Sequence, residues 1–228
     1  MKPEKINKLC EALHHWLRYQ ILCGREALLS ESYLNQPTGE YLLHAGKNSH
    51  LRTEYTHPVL NTLGKKGRPR QIDFCLLSKE KKLLTAAIEL KWIAPRSLEK
   101  QRIIDDLLRL ECIRPNQKGQ HIYRYLIIAG RTSDLDERLL NAELKGNANG
   151  MKFTKGILCT TIGEALTVDY KSIDAAQTRF FDKFCESNNT SIPNKFLTTL
   201  EFKEDGNGLS VYCWRIQSSK NRTPMPKR

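Results

Sequence analysis

With 228 residues, 39% of them hydrophobic, the chain can fill one good core or at most two small ones, so a single domain is expected over residues 1–216. No apolar stretch approaches a membrane span and no apolar leader region opens the chain, which argues against membrane insertion and predicts a cytoplasmic protein. Lys and Arg number 37 against 25 Asp and Glu, a formal charge of +12, which points to a polyanionic partner, most simply nucleic acid, although some proteins are basic without binding one.

The first 36 residues read as helical. Ile6, Leu9, Leu13, Trp16, Leu17, Tyr19 and Leu22 recur near helical spacing over residues 5 to 22, and a second amphipathic helix is predicted from Arg25 to Leu34, ahead of Pro37. Leu51 to Leu60 reads as an edge strand with Pro58 near its end. Gly64-Lys65-Lys66-Gly67-Arg68-Pro69-Arg70 is a basic turn, and Lys65, Lys66, Arg68 and Arg70 are candidate phosphate contacts.

Next come two apolar runs, Arg70 to Leu77 and Leu83 to Trp92, separated by a polar break, which predict a hairpin of two largely buried strands. Alternation places Ala87, Glu89 and Lys91 on one face and Ile88, Leu90 and Trp92 on the other. A turn centred on Lys81 sets Asp73 opposite Glu89, with Cβ atoms roughly 5 Å apart.

Beyond Pro95, Ser97 caps a predicted helix from Leu98 to Cys112 with Ile103, Ile104, Leu107, Leu108 and Cys112 inward. A strand is predicted from His121 to Ala129, a helix from Ser133 to Leu144 and a short strand from Ile157 to Thr161. A helix follows from Ser172 to Cys185. Two last strands, Phe196 to Phe202 and Leu209 to Ile216, flank the turn signal Asp205-Gly206-Asn207-Gly208. Residues 217–228 read as a basic flexible tail. Removing its Lys220, Arg222, Lys227 and Arg228 lowers the formal charge by four, from +12 to +8, so the remainder stays basic.

The seven cysteines are odd in number, widely spread and free of Cys-x-x-Cys pairs, which fits neither a disulfide framework nor a zinc ribbon and agrees with a reducing compartment.

The chemistry concentrates in the hairpin. Two carboxylates face to face repel, and burial makes the repulsion worse, so a positive group belongs between them. A divalent cation on carboxylate oxygens is one answer and Lys91 is another, while an ordinary ion pair between Lys91 and the two acids is the competing structural account. Glu-x-Lys occurs four times, at Glu80, Glu89, Glu143 and Glu201. Only at Glu89 does it combine a buried strand, an Asp on the preceding strand and a following helix.

Ile72-Asp73, fifteen intervening residues, Glu89-Leu90-Lys91 and the helix after them resemble the core of the PD-(D/E)XK nuclease superfamily over about residues 54 to 129. Ile72 stands where the family carries proline. The resemblance implies an α/β, restriction-endonuclease-like fold, a central mixed sheet flanked by helices, and magnesium-dependent hydrolysis of nucleic-acid phosphodiesters, with manganese as a substitute. It implies Asp73 and Glu89 as metal ligands, the Leu90 carbonyl as a further one, and Lys91 as the group that orients or activates water. Family members often add a carboxylate from an upstream helix, here Glu26, with Glu54 as its rival, and sometimes a Gln or Lys on the next helix, here Gln101. The expected partner is nucleic acid, with DNA favoured over RNA, and the expected assembly is a homodimer or a subunit of a larger nuclease. A binding module that keeps the fold without turnover is the alternative.

Overall fold

A computed structural model describes residues 1–46, 49–56, 71–80, 82–94, 100–115, 120–143, 152–188 and 192–218. They form an α/β structure around one seven-stranded mixed sheet. Its strands are β1 (Ser49–Tyr55), β2 (Ile72–Ser78), β3 (Leu84–Ile93), β4 (Tyr123–Arg131), β5 (Ala165–Asp169), β6 (Lys195–Gly206) and β7 (Leu209–Ser218), in the spatial order β1-β2-β3-β4-β7-β6-β5. Every neighbouring pair is antiparallel except β3 and β4, whose parallel register needs a crossover. Helix α3 (Lys100–Cys112) lies in that crossover.

Two helical layers cover the sheet. On one face α1 (Pro3–Leu22) and α2 (Glu31–Ala45) bury Ile6, Leu13, Leu17 and Leu34 against Ile88, Leu90 and Ile127. On the other, α3 and α5 (Ala175–Asn188) bury Ile104, Leu107, Phe181 and Phe184 with Ala87, Ile93 and Leu126. The period-2 split of β3 therefore turns Glu89 and Lys91 toward α3, and the predicted inward stripe of α3 is buried throughout.

Several elements depart from the sequence reading. The second helix starts later and runs further: a short 3-10 turn (Glu26–Leu28) precedes α2, whose Ser30 side chain caps the Tyr33 amide at 3.2 Å. Pro37 sits inside α2 instead of ending it. A proline removes one backbone donor, a loss that burial of Leu34, Thr38 and Leu42 outweighs. At the end of α1, Tyr19 and Leu22 are exposed rather than inward. Helix α4 (Thr132–Leu135) is a single turn passing into a π-turn over Asp136–Leu140, shorter than predicted.

Ile157 to Cys159 are buried but do not join the sheet as a strand, and the strand of this region is β5. Side chains replace the ladder there. Thr198 Oγ1 donates to the Ile157 carbonyl at 2.8 Å and Trp214 Nε1 to the Cys159 carbonyl at 2.7 Å. Gln217 and Ser218, assigned to the tail, are paired in β7 with Leu197 and Phe196. Asn207 and Gly208 both have positive φ, 53° and 76°, the combination that a two-residue hairpin turn of matching twist requires. All seven cysteines are free, five of them buried. Among the described residues no helix is long and apolar enough to cross a membrane.

Candidate active site

The register of β2 against β3 pairs Phe74 with Ile88, Cys75 with Ala87 and Leu76 with Ala86, and its continuation sets Asp73 opposite Glu89. A bulge between Leu76 and Leu77 shifts the pairing only on the turn side. Asp73 is fixed by the backbone itself, its Oδ2 accepting from the Leu90 amide at 2.8 Å. Leu90, whose side chain packs in the opposite layer, thus contributes its N–H to the site.

Around these two acids stand four further charged groups. Lys91 Nζ lies 2.9 Å from Oε2 of Glu31, the first residue of α2, and 3.1 Å from Oδ2 of Asp106 on α3. Arg109, one turn along α3, donates from Nε to Glu89 Oε1 at 2.9 Å and pairs through Nη2 with Asp106. Glu89 and Asp106 are 1% and 2% exposed, so these charges interact with little water between them.

The electrostatics follow from burial. Desolvation holds the Asp73 carboxyl above the usual aspartate range, opposed by the Leu90 amide. It holds Glu89 well above the glutamate range despite Arg109, with Asp106 and Asp73 adding to the rise. Burial works against the Lys91 ammonium, but Asp106 and Glu31 outweigh it and keep that amine above the ordinary lysine range. Lys91 is therefore a fixed positive charge.

Four carboxylates against two cations leave a formal charge of −2. Hard oxygen donors suit a hard dication, whose charge would favour the ionised forms of Asp73 and Glu89 that burial disfavours. As the side chains stand, Glu31, Glu89 and Asp106 each face a protein cation.

The register sets Asp73 opposite Glu89 as the hairpin predicts, while Lys91, two residues along the same face, pairs with Glu31 and Asp106. Glu26 does not join them: it pairs with Arg131, about half exposed. Glu54, with a positive φ of 49°, lies on edge strand β1, where the register that pairs Thr53 with Phe74 and Tyr55 with Ile72 sets it opposite Asp73. Gln101 opens into the same cleft as Lys91, but its amide is occupied, donating to Asp105 at 2.7 Å and to the Phe180 carbonyl at 3.0 Å, which ties α3 to α5. Lys65, Lys66, Arg68 and Arg70 lie outside the described residues.

Glu31, Asp106 and Arg109 escaped the sequence reading. Asp106 had a signal, since it falls between Ile103 and Leu110 on an otherwise apolar helical stripe. Glu31 had none, because an acid in a first helical turn ordinarily serves the helix dipole. No family model, curated protein or solved structure matches the chain.

Proposed function

We propose that the chain is a metal-dependent nuclease of the PD-(D/E)XK type with a restriction-endonuclease-like fold, hydrolysing phosphodiester bonds and most simply a DNA endonuclease. One observation carries the reading: Asp73 and Glu89 face each other on paired strands, and Lys91, two residues along from Glu89, joins Glu31 of an upstream helix to Asp106 of the following one.

Asp73 and Glu89 would hold magnesium or manganese, and Glu31 takes the place first assigned to Glu26 as the upstream acid. The bound dication would neutralise charge on the scissile phosphate and lower the pKa of its water. Leu90 fixes one oxygen of Asp73 through its amide, on the side where Asp73 faces Glu89. Lys91, held charged by Asp106 and Glu31, orients water or phosphate as a positive group and does not act as the proton acceptor. Arg109 stabilises Glu89 from the α3 side and limits its freedom to protonate. The basic charge of the chain suits a nucleic-acid substrate, and cutting both strands of a duplex would call for a homodimer or a larger assembly.

A second reading, a nucleic-acid-binding module without turnover, is favoured by the protein cations that already face three of the acids. Cleavage of plasmid DNA and labelled RNA with and without magnesium, with wild type beside Lys91→Ala and Asp73→Asn, separates the two. Divalent-dependent cleavage lost in both variants supports the nuclease. Intact substrates throughout support the binding module, and cleavage of RNA alone moves the substrate from DNA to RNA.

A further inference from the structure

A cleft of about 410 Å³ opens from the charged cluster between α3 and α5. Lys91, Asp106 and Arg109 reach its floor, while Arg102 of α3 and Lys183 and Ser187 of α5 line it from exposed positions. Lys183 and Ser187 are four residues apart, one above the other on a single helical face. Gln101 sets the spacing of the two helices through the Phe180 carbonyl.

The described lining is cationic on balance, Lys91, Arg102, Arg109 and Lys183 against Asp105 and Asp106, and Asp106 is buried beside Lys91 and Arg109. At its rim, Arg102 and Lys183 are cationic, and Asp105, the acid beside them, already accepts from Gln101. Among the described residues the lining carries no aromatic ring and no aliphatic residue on which a base could stack, whereas its hydroxyl, ammonium and guanidinium groups are donors suited to phosphate oxygens.

We propose that this cleft is a phosphate subsite, in which Lys183 and Ser187 of α5, with Arg102 of α3, hold a nucleic-acid backbone phosphate next to the one positioned at Lys91. The subsite rests on the reading of the floor as a phosphodiester-cleaving site. It fixes the strand so that the neighbouring linkage falls beside Asp73 and Glu89, which makes Lys183 and Ser187 positioning residues.

The test is binding of a short fluorescent DNA duplex to the full chain over a salt series with calcium in place of magnesium, alongside magnesium-dependent cleavage kinetics. Lys183→Ala is compared with Lys79→Ala, an equal loss of charge just past the end of β2, roughly 20 Å along the chain from Asp73. The expected result is a salt slope shallower by about 0.9 for Lys183→Ala than for Lys79→Ala, the loss of one phosphate contact. Ser187→Ala should weaken binding several-fold without changing the slope, and Lys183→Ala should raise KM with kcat retained. All three positions are exposed, and matching thermal melts verify that the variants fold.

Equal slopes for the two lysine variants, or no salt-sensitive binding by wild type, overturn the subsite. Cleavage that persists with equal slopes overturns the subsite and leaves the nuclease standing. A Lys183-dependent slope in a protein that cuts nothing with any dication overturns the nuclease and leaves an anion-binding cleft.

Discussion

The guanidinium of Arg109 lies 2.9 Å from a Glu89 carboxylate that is 1% exposed, so the least solvated acid of the cluster is balanced by a cation from the helix that follows its strand. Removing one partner of such a pair leaves a buried charge alone, at a cost of about 3 to 5 kcal/mol. Arg109→Ala should therefore melt well below wild type without a dication at neutral pH, and added manganese should raise its Tm by more than that of wild type. Equal manganese shifts in the two proteins would mean that the cation does not reach Glu89.

The pH dependence has a definite sign. Glu89 binds its proton more tightly folded than unfolded, chiefly because it is buried, so its contribution to stability is complete below the unfolded value of about 4.3 and is lost as pH rises through the raised folded value. A dication bound at Glu89 displaces that proton, and the Tm gain from magnesium or manganese should grow as pH rises through the same window. Thermal melts across pH with and without the metal measure it, and a gain that is flat or falling with pH contradicts a metal at Glu89.

Glu31 and Glu26 are two acids upstream of the hairpin with different surroundings, and they should behave differently. Glu31→Gln removes a partner of Lys91 and should reduce cleavage by about 10- to 100-fold, the usual effect of losing a group that supports a metal site. Glu26→Gln breaks an exposed pair with Arg131 and should leave cleavage within twofold. Single-turnover rates distinguish them, and the reverse ranking would restore Glu26 as the upstream acid.

Asp73→Asn keeps an acceptor for the Leu90 amide but loses the charge, so the fold should survive while magnesium-dependent cleavage falls by at least about 100-fold, a few kcal/mol of barrier. Circular dichroism and cleavage assays on one preparation check both halves.

Glu111 is fully buried and pairs with Arg124 at 3.1 Å, joining α3 to β4 on the layer that carries the site. Arg124→Ala should destabilise the protein by about 3 kcal/mol or more, seen as a fall in Tm, while cleavage measured well below the transition persists.

The hairpin was legible because two simple periodicities governed it. Alternation set the faces of Glu89 and Lys91, and the symmetric spacing about Lys81 set Asp73 against Glu89, a pairing the bulge beyond Leu76 leaves intact. The Asn207-Gly208 turn was equally legible, since few residues accept positive φ at both positions. Pro37 misdirected the reading because a proline's local penalty says nothing about the burial that offsets it. The strand expected at Ile157 to Thr161 failed for a related reason: its apolar residues are buried, but the neighbouring backbone is already paired and side chains from Thr198 and Trp214 satisfy its polar groups instead.

Residue order alone determined the strand pair, the faces of its side chains and the crowding of like charges, because each depends on neighbours a few positions apart. Only the tertiary structure decided which groups answer that charge. Glu31, Asp106 and Arg109 lie far along the chain from Asp73 and reach it because α2 and α3 pack on opposite faces of one sheet, and the balance of burial and Coulomb attraction among them exists only once those layers have closed.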